Sequence, residues 1–199
     1  MASPTAAGAR PRGTARRDAL LDAVIRIVAE AGADAVTHRR VAEEADLPLA
    51  STTYWFESKE QLLTAALERA VDRDIACLQG FLDRASETPS DPLELAVDAL
   101  LYPGDEPTQA LRGSLVATYA LLVEAARRPA LRAVTRRWTD AFQEALTPLL
   151  AAAGSKDPAG DAELLLGAAD GLLIDRLAVG EGFDIGPQLR RLARALVAA

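Results

Sequence analysis

The chain has 199 residues and half of them are apolar, which is enough to form a buried core and excludes a wholly disordered chain. Aromatic residues make up only 5% of the sequence, whereas Ala, Leu and Arg dominate, so the predicted fold class is all-α. The net charge of −7 does not exclude DNA binding, because most of the acidic excess follows residue 60 and four arginines precede the first acidic residue, Asp18.

Residues 1–14 are rich in Pro, Gly and Ala and contain Arg10 and Arg12, but they lack the apolar segment of a secretory signal. We predict that they form a disordered basic arm. The apolar stretch 164–174 is too short to cross a bilayer and is interrupted by Asp170, which predicts no membrane partner. A single cysteine, Cys77, cannot form an internal disulfide and suits the reducing cytoplasm, where we expect this protein.

Three short helices are predicted within residues 15–63. The first has apolar residues at helical spacing from Ala15 to Ala31 and ends before Gly32. Thr37 is a suitable N-cap for the second helix, which breaks at residues 46–48. The third helix runs from there to about Phe56, so the order is that of a helix-turn-helix domain.

Residues 64–199 are predicted to form a second, helical domain. Ser58 and Gln61 make a capping box at the start of a long fourth helix, and Asp91 and Glu94 make another. The later helices are bounded by Pro and Gly, and we predict about nine helices in total. The predicted ranges after the fourth helix are Asp91–Tyr102, Thr108–Arg128, Ala130–Ala153, Asp161–Val179 and Pro187–Ala198.

The period of the third helix predicts which of its side chains face DNA. Thr52 and Phe56, four residues apart, are expected to face the first two helices. We expect one of Tyr54 and Trp55 to lie in the core and the other to be exposed. The remaining face is rich in hydroxyl and methyl groups, which can bond bases or phosphates and contact thymine methyls. The candidate DNA-facing residues of this helix are Leu49, Ala50, Ser51, Thr53, Tyr54 and Trp55.

Four segments of the sequence resemble the N-terminal domain of the TetR family of transcriptional regulators. These segments are Ala31-Gly32, Thr37 to Ala45, Ser51 to Phe56 and Ser58 to Leu63. Asp46 stands where the family usually has Gly, but Asp tolerates a left-handed turn conformation. Thr53 replaces a common aromatic residue, so the base preference of relatives does not transfer to this chain.

The resemblance implies a ligand-responsive DNA-binding regulator, a repressor that a small-molecule effector releases from its double-stranded operator. It also implies that Arg39, in the first turn of the second helix, contacts a base or phosphate, and a guanidinium can bond guanine bidentately. A solvated charge is the alternative. Thr37 and Lys59 are candidate phosphate contacts. His38, the only histidine, is expected to support the backbone contact rather than act as a titrating sensor.

The last two predicted helices resemble the dimerisation helices of the family, and a homodimer is expected. Two recognition helices must reach successive major grooves about 34 to 36 Å apart, which a dimer achieves. The helix 161–179 is apolar around more than one face, and its glycines favour close helix contact, although burial within one subunit would explain the same pattern. The predicted dimer contacts are Leu165, Ala168, Leu172, Leu189 and Leu196.

Four aromatic residues inside the later helices are candidates for lining the effector pocket, namely Tyr102, Tyr119, Trp138 and Phe142. Ordinary core packing is equally compatible with each of them. Glu124, Asp170 and Asp175 are acidic residues in apolar helices that could meet a cationic ligand. Solvent exposure, or a salt bridge with Arg176 or Arg128, is the simpler explanation of these three acids.

Two other classes of function are compatible with an all-α chain. An enzyme is disfavoured because one His, one Cys and two Lys are isolated and no phosphate-binding glycine loop is present; we predict no cofactor and no metal site. The more serious alternative is a helical dimer that has lost DNA binding and serves as an interaction module. The acidic charge and the altered recognition helix would fit that alternative.

Overall fold

The computed structural model describes residues 12–87, 90–101, 109–179 and 185–199. Within these ranges the chain forms nine α-helices, one short 3₁₀ helix and no strand, which confirms the all-α prediction. The helices are α1 (Arg12–Ala31), α2 (His38–Glu44), α3 (Leu49–Trp55), α4 (Lys59–Ser86), α5 (Pro92–Leu100), α6 (Gln109–Glu124), α7 (Pro129–Ala152), α8 (Pro158–Val179) and α9 (Gly186–Ala198).

Helix α1 begins at Arg12, three residues before the predicted start, so the end of the predicted arm is helical. Residues 1–11 of that arm lie outside the described ranges. The helix ends at Gly32, whose φ of 78° is open to glycine at little cost, and its amide closes a bond to the Val28 carbonyl. The 3₁₀ helix Ala33–Ala35 follows, which the apolar pattern does not predict.

The turn between α2 and α3 is built as its sequence predicts. The Thr37 hydroxyl caps α2 by accepting a bond from the Arg40 amide at 3.1 Å. Asp46 adopts φ 51°, the left-handed conformation at which a glycine is common. The Leu47 amide then donates to the Ala42 carbonyl at 2.9 Å, which closes the end of α2 and turns the chain toward α3.

The two predicted capping boxes are only partly formed. At α4 the Ser58 hydroxyl accepts from the Gln61 amide, while the Gln61 side chain bonds the Glu57 amide one residue earlier than expected. At α5 the Asp91 carboxylate caps the Leu93 and Glu94 amides. The Glu94 carboxylate does not turn back to the cap, because it binds arginines of α9 instead.

Helix α4 joins the two parts of the molecule. It packs against α1 on one side and against α7 on the other, while α6 also lies against α1. Helices α7, α8 and α9 follow one another in space, and α5 closes the far end against α7 and α9. One continuous apolar core runs from Leu20 in α1 through Leu63 in α4 to Leu146 in α7, all fully buried. A displacement of α4 therefore has a packed route into the three-helix unit.

None of the helices within the described ranges is long and apolar enough to span a membrane.

Candidate DNA interface and effector site

The outer face of α3 is exposed and chemically mixed. Thr52 is fully buried, and its hydroxyl is satisfied by the Leu49 carbonyl at 2.8 Å, while Phe56 is 4% exposed. The inward pair is therefore the predicted one. On the outer face Leu49 is 50% exposed, and Ala50 and Thr53 are exposed beside it. Ser51 is half-buried. These short side chains leave the backbone of α3 accessible to a groove.

Tyr54 and Trp55 do not divide between core and surface as predicted. Tyr54 is 78% exposed and Trp55 is 37% exposed, so neither lies in the core. Their rings meet edge to face with centroids 5.0 Å apart, and the Trp55 ring also lies over Gly13 of α1. Trp55 is thus supported by α1 from outside the core, a contact that the period of α3 alone cannot reveal.

Cationic and hydroxyl groups border this face. Arg39 is largely exposed, and its only ion pair among the described residues is with Glu43 one turn on, at 2.8 Å. Such exposed pairs are weak, so DNA can take the guanidinium over at little cost. Thr37 is exposed at the α2 N-terminus. Lys59 is less free than predicted, because its ammonium donates to the Asp34 carbonyl at 2.9 Å. His38 is half-buried, with a buried Nδ1 that makes no bond.

An ion cluster joins α1 to α4. The Arg69 guanidinium in α4 bonds both carboxylate oxygens of Asp22, at 2.8 and 3.0 Å, and also contacts Asp18 at 3.0 Å. Arg73, one turn further along α4, bonds Asp22 at 2.5 Å. Burial alone would raise the pKa of Asp22, but the bonds from Arg69 and Arg73 outweigh it and lower that pKa. We call these four residues the α1–α4 ion cluster.

Aromatic and acidic side chains from four helices meet in the interior of the second domain. The Tyr119 hydroxyl in α6 donates to the Asp170 carboxylate in α8 at 3.0 Å. The Trp138 Nε1 in α7 donates to the Asp74 carboxylate in α4 at 3.1 Å, and the Phe142 ring lies 4.8 Å from the Trp138 ring. We call these five residues the aromatic–acid core.

Burial perturbs the two groups of this core that share one hydrogen bond. It raises the pKa of Asp170 to about 6, although the Tyr119 hydroxyl opposes the rise. Burial also raises the pKa of Tyr119, and the neighbouring charges of Asp170 and Asp74 raise it further. The hydroxyl is therefore a permanent donor near neutral pH, and the Asp170 carboxylate loses its charge just below neutrality.

The structure locates three of the four predicted pocket aromatics together, since Tyr119, Trp138 and Phe142 are each under a tenth exposed. Tyr102 lies outside the described residues. Asp74 was not predicted. It occupies a buried position on α4, four residues after Ala70 and four before Leu78, so a charged residue within the apolar stripe is the signal that identifies it.

The other flagged acids have simpler explanations. Glu124 is almost buried and pairs with Arg127 and with Arg128, at 2.7 Å for the latter, which agrees with the expected salt bridge. Asp175 is exposed on α8. Asp170 therefore stands apart: among the ion pairs of the described residues, none includes it.

The predicted dimer contacts need correction. Leu165 and Leu189 are fully buried within the single chain and cannot present surface to a second copy. Ala168, Leu172 and Leu196 are half-buried. Helix α8 is apolar on both faces, and its exposed stripe is offset from the predicted one. We call it the α8 stripe, and it comprises Leu164, Gly167, Gly171 and Ile174.

Comparison with known proteins agrees with the helix order. Residues 91–199 match the family model described as the tetracyclin repressor-like C-terminal domain. Over 79 residues the chain is 35% identical to the HTH-type transcriptional repressor KstR of Mycolicibacterium smegmatis, covering 40% of this chain and only 37% of KstR.

Solved structures match nearly the whole chain. A TetR-family member from Streptomyces coelicolor A3, SCO1917, is 32% identical, with a TM-score of 0.66 and coverage of 94% of this chain and 98% of that one. The multidrug binding protein EbrR, in complex with imidazole, is 30% identical, with a TM-score of 0.69 and coverage of 94% and 96%. Members of this family are in general transcription factors rather than enzymes. This chain belongs to the TetR family of ligand-responsive, DNA-binding transcriptional regulators.

Proposed function

We propose that the protein is a dimeric repressor that binds operator DNA through α3 and leaves it when an effector enters the aromatic–acid core. The observation that supports this best is the placement of α4. Its first turn adjoins the DNA-facing helix, and Asp74 further along it belongs to the aromatic–acid core. One rigid helix thus contacts both sites, which is the physical requirement for coupling their two equilibria.

The coupling is explicit at two consecutive residues of α4. Arg73 bonds Asp22 of the helix-turn-helix unit, and Asp74 accepts the bond from Trp138 of the second domain. An effector that separates Trp138 from Asp74 changes the force on α4 next to the α1–α4 ion cluster. A differential binding energy of about 1 to 3 kcal/mol would change operator affinity five- to 150-fold.

The α8 stripe is the face that we assign to the second copy of this chain. Leu164 is 58% exposed and Ile174 is 46% exposed, and a Cβ at Gly167 or Gly171 would meet no atom within 4 Å. A row of small and apolar residues on an exposed helix lets a symmetry-related helix approach closely. This proposed seam replaces the buried residues Leu165 and Leu189.

Replacing Ile174 by Asp should dissociate the dimer, because it adds a charge to the centre of an apolar seam. We expect the dimer dissociation constant, measured by analytical ultracentrifugation, to rise by at least about tenfold. Val123→Asp, at a 64% exposed apolar position on α6, is the matched control and should leave it unchanged. Equal effects of the two variants, or none from Ile174→Asp, would contradict this assignment of the dimer face.

The double variant Arg39→Ala, Thr53→Ala should lose sequence-specific DNA binding. The purified dimer is titrated against a pool of random duplexes at two salt concentrations, and the enriched sequence is then used to compare variants. We expect the double variant to bind the enriched duplex at least about tenfold more weakly, because two groups on the proposed groove-facing surface are removed. Arg136→Ala, on the exposed surface of α7, is the charge-matched control and should bind normally.

Salt separates specific recognition from a general attraction to phosphate. The affinity of the unaltered dimer should fall as salt rises, with a slope that counts the neutralised phosphates. If no sequence is enriched even at low salt, the DNA-binding proposal fails. The protein would then be a helical interaction module, the alternative that its acidic charge favours.

A further inference from the structure

The aromatic–acid core combines groups that rarely share an apolar interior. Two carboxylates, Asp74 and Asp170, lie beside the rings of Tyr119, Trp138 and Phe142, and the bonds that each acid receives from these side chains come from uncharged donors. An uncharged donor compensates a buried carboxylate less well than a cation does. In the same domain Glu124 receives two arginines, so pairing with cations is available to other buried acids of this chain.

The geometry limits what can satisfy these acids. A hard metal ion takes six or more oxygen ligands, and the rings of Trp138 and Phe142 offer none. The described residues contain no group of three or more His, Cys, Asp or Glu side chains that could hold a metal. An organic cation has no such requirement, because its charge can lie near a carboxylate while its body contacts the faces of aromatic rings.

We propose that the effector class is a flat aromatic cation, whose charge is met by Asp170 and Asp74 and whose rings pack against Trp138 and Phe142. This inference rests on the proposed function, in which the aromatic–acid core is the effector site. Structures of the similar protein EbrR have been determined with ethidium and with proflavin, both aromatic cations, which agrees with this chemistry.

The charge of the ligand does the selecting. An uncharged ring system that wedged between Trp138 and Asp74 would remove a donor from a buried carboxylate and supply nothing in return. A cation removes the same donor but replaces it with a stronger, charge-assisted partner. Since the rings are under a tenth exposed, the ligand must part the helices to enter, and the energy for this opening has to come from that exchange.

The test compares two probes of the same three-ring shape in the absence of DNA. Proflavin is protonated at pH 8, whereas acridine is uncharged. Binding of each to the full-length dimer is measured by calorimetry, with the variants Asp170→Asn and Asp175→Asn. We expect proflavin to bind at least about tenfold more tightly than acridine, and Asp170→Asn to lose that preference. Asp175→Asn, exposed on the same helix, should keep it.

The outcomes are separable. Equal binding of both probes, or a preference that survives Asp170→Asn, would overturn the cation assignment and indicate an apolar pocket. No binding of either probe would also overturn it for aromatic cations of this size. Because DNA is absent, these results do not depend on operator recognition. Failure of the proposed function would appear separately, as the absence of any enriched duplex in the DNA titration.

Discussion

Replacing Arg69 by Met should lower the free energy of unfolding by about 2 to 3 kcal/mol at pH 7. Arg69 is the centre of the α1–α4 ion cluster, and its side chain is only 20% exposed. Met preserves much of the apolar stem but leaves Asp18, which is 17% exposed, without its arginine, and leaves Asp22 with Arg73 alone. Removing one partner from a largely buried ion pair costs more than the pair itself contributes, because the remaining charge stays buried.

The pH dependence of this loss has a defined sign. The folded pKa of Asp22 is held below its ordinary value of 3.8, so the stabilisation is present above that pH and is lost as the pH falls through the folded pKa. The difference between the Arg69→Met variant and the unaltered chain should therefore be largest at neutral pH and shrink below about pH 3.8. Urea unfolding followed by circular dichroism at several pH values measures it.

Arg137→Met is the matched control for this experiment. It removes an arginine of the same kind from a pair with Asp72, in which both side chains are at least half exposed. Exposed pairs contribute little, so this variant should change stability by less than about 1 kcal/mol. Equal losses from the two variants would show that the α1–α4 ion cluster acts only as a surface pair.

The helix-turn-helix unit was predictable because its signals are local. Thr37, Asp46 and Ser58 determine helix ends through bonds to backbone amides or through a tolerated backbone conformation, and each acts within five residues of itself. The placement of Thr52 and Phe56 likewise follows from the period of a single helix. The partner of Trp55 does not, because Gly13 is more than forty residues away along the chain.

The second domain was less predictable because its helices are apolar on more than one face. On α8 the period cannot distinguish Leu165, which packs into its own chain, from Leu164, which is exposed one residue earlier. Asp74 and Asp170 were equally ambiguous, since an acid on an apolar helix can be solvated, paired or functional. Their partners Trp138 and Tyr119 lie 64 and 51 residues away, and only the packing of four helices brings them together.

Asp170 should show the opposite pH behaviour from Asp22. Its folded pKa, raised to about 6 from an ordinary 3.8, means that the folded chain holds a proton that the unfolded chain has already released. Stability is therefore lost as the pH rises from about 4 through 6, and the full cost applies above it. Asp170→Asn removes this cost while its amide oxygen can still accept the Tyr119 bond.

We expect Asp170→Asn to raise the free energy of unfolding by about 2 kcal/mol at pH 8, after allowance for the partial exposure of the carboxylate, and by almost nothing at pH 4. Asp175→Asn, exposed on the same helix, should show no such pH-dependent gain. A gain that does not change with pH would mean that Asp170 carries no folding-linked titration. If the gain follows the pH as expected, the same carboxylate that selects an aromatic cation also destabilises the effector-free protein, which is the relation expected of a site that evolved for binding at the expense of stability.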